Sequence, residues 1–350
     1  MTGRCISLIL TCLLTFNVVS AKEPDLPEIR VTNVRRVFHN GEHNAFTDLI
    51  RFHDKFYLSF RSCPDGHGVH PSSSGIILES EDAQTWKLVH RFRVPTRDVR
   101  DPHFLIFKDK LFAYASTWYC GDTSPAEYGF NEHLGYGVWS ADGNSWTEPI
   151  MLEGTYGHYI WRAATFDGTA YLCGRRKREF AETHRNIRSD CESAMLESDD
   201  GLIWRTRALF QTTHGNETAF LFEPDGSVFA VARNTLDNSQ LCRSKPPYTT
   251  WERTDLHCFI GGPLVVKWNG RYLVGGRKNI KDHPVTTLYW LVDGKLHECA
   301  ALPSGGDNSY PGFVELSPTR GLLSWYSSHE TDDSGKNITA IYLADLELKD

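Results

Sequence analysis

The sequence predicts an all-β fold, a six-bladed β-propeller. Three observations predict it: a turn motif recurring at blade-like intervals, six hairpin-like segments interleaved with it, and a strand-like run at each end that can close a ring. The motif reads Ser-x-Asp-x-x-x-Trp at 80–86, 140–146 and 198–204, and a degenerate fourth copy ends at Trp251. Its tryptophans stand 60, 58 and 47 residues apart, the spacing of propeller blades. In such a segment the Ser and Asp side chains satisfy turn backbone groups while the Trp packs between neighbouring sheets. Trp86, Trp146 and Trp204 are therefore expected in equivalent turns, mostly buried.

The hairpins follow in order. Apolar, strand-like pairs surround a tight turn at 46–61, 99–117, 161–176, 217–233, 262–277 and 310–326. Their turns are His53-Asp54, Lys108-Asp109, Asp167-Gly168, Asp225-Gly226, Asn269-Gly270 and the stretch 319–321. Asp-Gly and Asn-Gly between β-rich runs are strong hairpin signals, because both supply the left-handed backbone that a two-residue turn requires. Residues 28–38 and 338–348 are expected to share one blade, which would close the circle and remove exposed sheet edges. No linker interrupts the chain and no comparably long amphipathic helical pattern occurs, so residues 22–350 are expected to form a single propeller domain.

Residues 1–21 read as a cleavable leader. Arg4 supplies a positive start, residues 6–19 are mostly apolar, and Val19-Ser20-Ala21 fits a signal-peptidase site. The run is too short and interrupted to span a bilayer, and no later segment is apolar enough, so export without membrane insertion is expected, secreted or periplasmic. Seven cysteines follow the leader, an odd number with no CxxC pair, so their pairing is not readable. A formal charge of −7 gives no electrostatic reason for a nucleic-acid partner. Histidines 39, 43, 67, 70, 103 and 158 flank inner strands, but no HExxH or similar tight ligand spacing exists. No metal and no cofactor is expected.

In a propeller the innermost strands end around the central channel, so polar residues at their ends are the site candidates. These are Asp48, Arg61, Asp101, Arg162, Arg175, Glu217, Arg233, Arg277 and Tyr310. So many charges around one axis are costly unless paired or used on a charged ligand. A structural salt-bridge ring and a ligand site are both consistent with that set.

The turn motif resembles the Asp-box of sialidases and other propellers. Asn216-Glu217-Thr218 followed by Arg233 is similar to the Glu-and-Arg segment in the fourth blade of sialidases, with its sixteen-residue separation. Arg277 lies in the next blade, and Asn308-Ser309-Tyr310-Pro311 resembles the tyrosine segment of the final blade. The resemblance implies Tyr310 as nucleophile, Glu217 as its base, and arginines that clamp a sugar carboxylate. That chemistry is coherent: a phenol activated by Glu does not repel an anionic sugar, and a guanidinium fork suits a carboxylate.

Two positions depart from the sialidase pattern. Ala45-Phe46-Thr47-Asp48-Leu49 stands where an Arg-Ile-Pro motif is expected, which leaves Arg162 or Arg175 to replace a clamp arginine in space. The loop after Arg61, where the acid/base aspartate belongs, offers only Asp65, with His67 and His70 nearby; Asp65 or Asp48 is the expected acid. A competing reading comes from Arg100-Asp101-Pro102, which resembles a segment of furanosidase-type propellers and would make Asp48, Asp101 and Glu217 a carboxylate trio. The sequence thus reads as an exo-acting glycoside hydrolase for an anionic or otherwise polar terminal sugar. A carboxylate-pair glycosidase and a non-catalytic glycan-binding propeller are the alternatives.

Overall fold

Each of the six hairpin segments forms the two innermost strands of one four-stranded antiparallel sheet. The computed structural model describes residues 24–349 apart from 126–127, 181–187, 236 and 281–282; the expected leader lies outside the described residues. The innermost strands of blades one to six are His43–Phe52, Arg97–Phe107, Tyr159–Phe166, Thr218–Phe222, Gly261–Trp268 and Asn308–Ser317. Each contacts the innermost strands of its two neighbours, so the six sheets form a closed ring around one axis. Among the described residues helix is confined to short 3-10 turns, and no helix is long and apolar enough to cross a membrane.

The turns do what their sequences dictate. Asp167 and Gly168 take φ of 47° and 73°, and Asn269 and Gly270 take 48° and 75°, the left-handed pair of a two-residue hairpin. In the Ser-x-Asp turns, Asp82, Asp142 and Asp200 each accept two backbone N–H groups at 2.8 Å and a Ser hydroxyl at 2.9–3.0 Å. Trp204 is buried as expected, whereas Trp86 and Trp146 are only half-buried. The residues before the latter two, 84–85 and 144–145, are exposed.

Closure joins the two ends of the chain. Glu28–Phe38 pairs antiparallel with Asn337–Lys349, with Ile29 opposite Leu348, and becomes the outermost strand of blade six. Apolar faces of adjacent sheets supply the core; between blades one and two, for example, Phe52, Tyr57 and Ile77 meet Val99, Phe104 and Leu111. All seven cysteines in the described residues are free thiols.

One irregularity recurs and matters for the site. The register of the innermost pair slips by one residue between Ala45 and Asp48, Arg100 and His103, Ile160 and Ala163, Gly261 and Leu264, and Ser309 and Gly312. These are β-bulges at equivalent places in five blades, and a bulge re-aims the side chain it carries. The bulge residues are Phe46, Asp101, Trp161, Gly262 and Tyr310, and all but Trp161 have positive φ.

Candidate active site

The bulges bring Tyr310 into contact with its neighbours over the channel. Its ring lies 5.0 Å from Phe46 and 5.9 Å from Trp161, centroid to centroid. Gly262, the bulge residue of blade five, has no side chain for a steric reason: a Cβ there would sit 2.6 Å from the Tyr310 ring. The Tyr310 hydroxyl donates to Glu217 Oε1 at 2.6 Å. Glu217 Oε2 accepts from Arg233 Nη1 at 2.8 Å and from the Gly262 N–H at 3.2 Å. Both members of the Tyr–Glu pair are buried.

Their protonation states follow from these contacts. Burial raises the Glu217 carboxyl, but Arg233 and the Tyr310 hydroxyl outweigh it and hold the group below the usual carboxylate value. Burial, followed by the Glu217 charge, pushes the Tyr310 phenol well above its ordinary value. The pair at neutral pH is thus a phenol donating to an ionised carboxylate.

Arginines recur on the second strands beside the bulges. The residue opposite the last one before the bulge is Arg61 in blade one, Arg277 in five and Tyr326 in six; in blade three Arg175 stands one residue further on, opposite Tyr159, and in bulge-free blade four the Arg233 N–H binds the Glu217 carbonyl. Similar placement does not give equivalent roles. Arg277 lies over the Tyr310 ring, 5.9 Å from its centroid, and pairs with Asp307 at 3.4 Å. Arg175 packs on Tyr159 and Phe130 at 4.8 and 4.9 Å and donates to Asn216 at 3.2 Å, with no carboxylate at ion-pair distance among the described residues.

Arg61 is different: it is fully buried, holds Asp98 at 2.8 Å, and donates to the Gly66 and Gly68 carbonyls. Its guanidinium secures the loop after blade one's second strand and is not presented to a ligand, contrary to the sequence expectation. Arg162 also departs from it. Its Nη1 holds Asp48 at 2.8 Å while Nε and Nη2 reach the Pro263 and Pro311 carbonyls at 3.1 and 2.6 Å. It is a strut joining blades one, three, five and six.

The carboxylates separate likewise. Asp48 is tied to Arg162 and to the Phe104 N–H at 2.8 Å, past the bulges, where it lines a cavity of about 420 Å³ with Phe104, Phe220 and Phe313. Asp65 is exposed and bonded to Ser72. Neither is in contact with the Tyr310–Glu217 pair. Asp101 faces Glu217 electrostatically: its carboxyl is pushed up to about 7, first by burial and then by the Glu217 charge. Tyr159 donates to one Asp101 oxygen, and the other oxygen has no hydrogen-bond partner among the described residues.

Sequence reasoning missed Asp307. Its Oδ1 accepts from Tyr326 at 2.9 Å and faces Arg277, while Oδ2 meets His43 Nε2 at 3.0 Å and His67 Nδ1 at 2.7 Å. Burial would raise this carboxyl, but the two histidines outweigh it and hold it far below the usual range. The three donor atoms lie within 4.8 Å of one another. Both imidazoles address the carboxylate at hydrogen-bond distances. A His-rich loop facing the residue before the tyrosine strand was the available signal.

No protein-family model and no curated protein sequence matches the chain. Among solved structures it is similar to a protein of unknown function from Dyadobacter fermentans, at TM-score 0.76 and 21% identity over 93% of this chain and 100% of that one. It is also similar to Trypanosoma rangeli sialidase in a complex with 2,3-difluorosialic acid described as a covalent intermediate, at TM-score 0.60 and 12% identity. That match covers 87% of this chain and 54% of the trypanosomal one, so the chain spans about half the length of that enzyme. Phage phi92 endosialidase matches at TM-score 0.67 and 10% identity over 91% of this chain and 69% of its own. Likeness at these identities is a likeness of fold: the chain is a sialidase-like propeller.

Proposed function

We propose that the chain is an exported, retaining exo-glycoside hydrolase, with Tyr310 as nucleophile and Glu217 as its base, acting on an anionic or otherwise polar terminal sugar of a glycan. The observation that carries this reading is the buried 2.6 Å hydrogen bond from the Tyr310 hydroxyl to an ionised Glu217. As the phenol oxygen attacks the anomeric carbon its proton passes to Glu217, so no full phenolate has to form in the buried site. Arg233, fixed on the other oxygen of Glu217, aligns the base. Arg175 and Arg277 border the same pair, and Arg175 is the guanidinium there without a carboxylate of its own.

The carboxylate-trio alternative has less support, because Asp48 is held by Arg162 away from Glu217. The test is turnover of a panel of aryl glycosides carrying carboxylated and neutral terminal sugars. A matching 2-fluoro glycosyl fluoride should leave a covalent adduct on Tyr310, located by peptide mass spectrometry. Tyr310→Phe should lower kcat by about 10³-fold or more, with stability changed by no more than about 1–2 kcal/mol. Sugar binding without any turnover would make the protein a glycan-binding propeller instead. A mild Tyr310→Phe beside a crippled Asp48→Asn or Asp101→Asn would return the chemistry to the carboxylates.

A further inference from the structure

A glycosidase that forms a covalent intermediate needs a second group, one that protonates the leaving oxygen and then activates water. The carboxylates expected to supply it are unsuited. Asp65 is bonded to Ser72, Asp48 is locked in an ion pair past the bulges, and Asp101 is 1% exposed and bonded to Tyr159. His67 has the opposite properties. Its side chain is 55% exposed, and its Nδ1 is engaged by Asp307 at 2.7 Å, which leaves Nε2 directed away from that contact.

An exposed side chain is usually mobile, but this one is held from several sides. Arg100 donates to the His67 carbonyl and, at 2.6 Å, to that of Gly68. Arg61 holds the flanking Gly66 and Gly68 carbonyls at 2.9 Å. Both arginines are anchored on the fully buried Asp98. The His67 ring also packs edge-on against His43 at 5.2 Å and Phe46 at 5.7 Å, and Phe46 in turn touches the Tyr310 ring at 5.0 Å. A positioned, exposed imidazole that packs on the same Phe46 ring as the nucleophile is suited to general acid–base catalysis.

We propose that His67 is the acid/base residue of this site and that Asp307 is its positioning residue. The inference rests on the Tyr310–Glu217 reading. In the first step the Tyr310 oxygen bonds to the anomeric carbon and its proton goes to Glu217. The glycosidic C–O bond breaks, and its electron pair takes the proton from Nε2 of the imidazolium, releasing an alcohol. In the second step neutral Nε2 takes a proton from water and the water oxygen bonds to the anomeric carbon. The bond to Tyr310 then breaks, and its oxygen recovers the proton from Glu217. Asp307, ionised and hydrogen-bonded at Nδ1–H, fixes the ring orientation and stabilises the imidazolium.

The experiment compares paired 2,4-dinitrophenyl and methyl glycosides of one sugar with wild type, His67→Gln, Asp307→Asn and Asp101→Asn. A good leaving group needs no proton, so His67→Gln should lose about 10²–10³-fold in kcat/KM on the methyl glycoside and less than about 10-fold on the dinitrophenyl one. Added azide, a nucleophile that needs no base, should speed His67→Gln on the dinitrophenyl substrate and yield a glycosyl azide of retained configuration. Asp307→Asn should show the same selectivity, weaker, since it acts through His67. Equal losses on both substrates, selectivity in Asp101→Asn instead, or turnover abolished by a chelator would overturn the assignment while leaving the Tyr310 reading standing. A wild type inactive on every glycoside would overturn both.

Discussion

At the scale of single residues, Asp101 is the group whose energetics are easiest to read. Its carboxyl is pushed up to about 7 by burial and then by Glu217, against an unfolded value near 3.9. A group with a raised folded-state value holds its proton when the unfolded chain has lost it. Its contribution to stability is therefore fully present below about pH 4 and is lost as pH rises through about 7. Asp101→Asn keeps the shape and an acceptor for Tyr159 but cannot ionise. The variant should be more stable than wild type by roughly 1–3 kcal/mol at pH 8, with the difference vanishing near pH 4. Denaturant midpoints at the two pH values check this, and a difference that does not change with pH would count against it. The same scale shows why part of the site was readable and part was not. Glu217, Arg233, Arg277 and Tyr310 carry recognisable chemistry at strand ends, so residue type and spacing pointed to them. Asp307 carries no motif, and its role arises from two histidines of blade one that meet it only after the ring has closed.

At the scale of elements, the bulges convert a regular hairpin into a site. The hairpins themselves were legible because Asp-Gly and Asn-Gly state their turns locally. The bulges were not, because one extra residue in a strand reverses which face every later side chain takes, and no residue type announces it. That is why Asp48 and Arg162, two residues and one residue past bulge sites, were expected at the mouth and instead join each other deeper in the channel. Gly262 tests the bulge directly. It has φ of +60°, its N–H donates to Glu217, and an added Cβ would meet the Tyr310 ring at 2.6 Å. Gly262→Ala should cost about 1–3 kcal/mol and reduce turnover far more than that loss explains, because the ring must shift off Glu217. Gly270 is the control: it also has positive φ, at +75°, but nothing lies within 4 Å of an added Cβ. Gly270→Ala should cost about 1 kcal/mol with turnover unchanged. Equal effects of the two on turnover would show that backbone conformation, and not the Tyr310 contact, fixes the glycine in blade five.

At the scale of the whole molecule, the chain's two ends meet in the blade that carries Tyr310. Tyr310 lies on the innermost strand of blade six, and the outermost strand of the same sheet comes from residues 28–38. That strand is mostly polar and half-exposed, with Ile29 its one buried residue among those described, so its hydrophobic contribution is small. Its role is the backbone ladder along Asn337–Lys349, a long run whose buried residues include Ile338, Ile341, Leu343 and Leu346. Removing residues up to 38 leaves that run as an unpaired, apolar edge, which is a template for pairing with another chain. The truncated protein should unfold at a lower temperature and associate as concentration rises. A synthetic peptide of residues 24–38 should restore both the midpoint and the monomer, because strand addition needs only the missing ladder. Turnover in the monomeric fraction should survive, since the innermost strand that carries Tyr310 lies two strands away from the exposed edge. Calorimetry and light scattering across a concentration series decide the matter. A truncated chain that stays monomeric with an unshifted midpoint would mean that the three remaining strands of blade six close the ring by themselves.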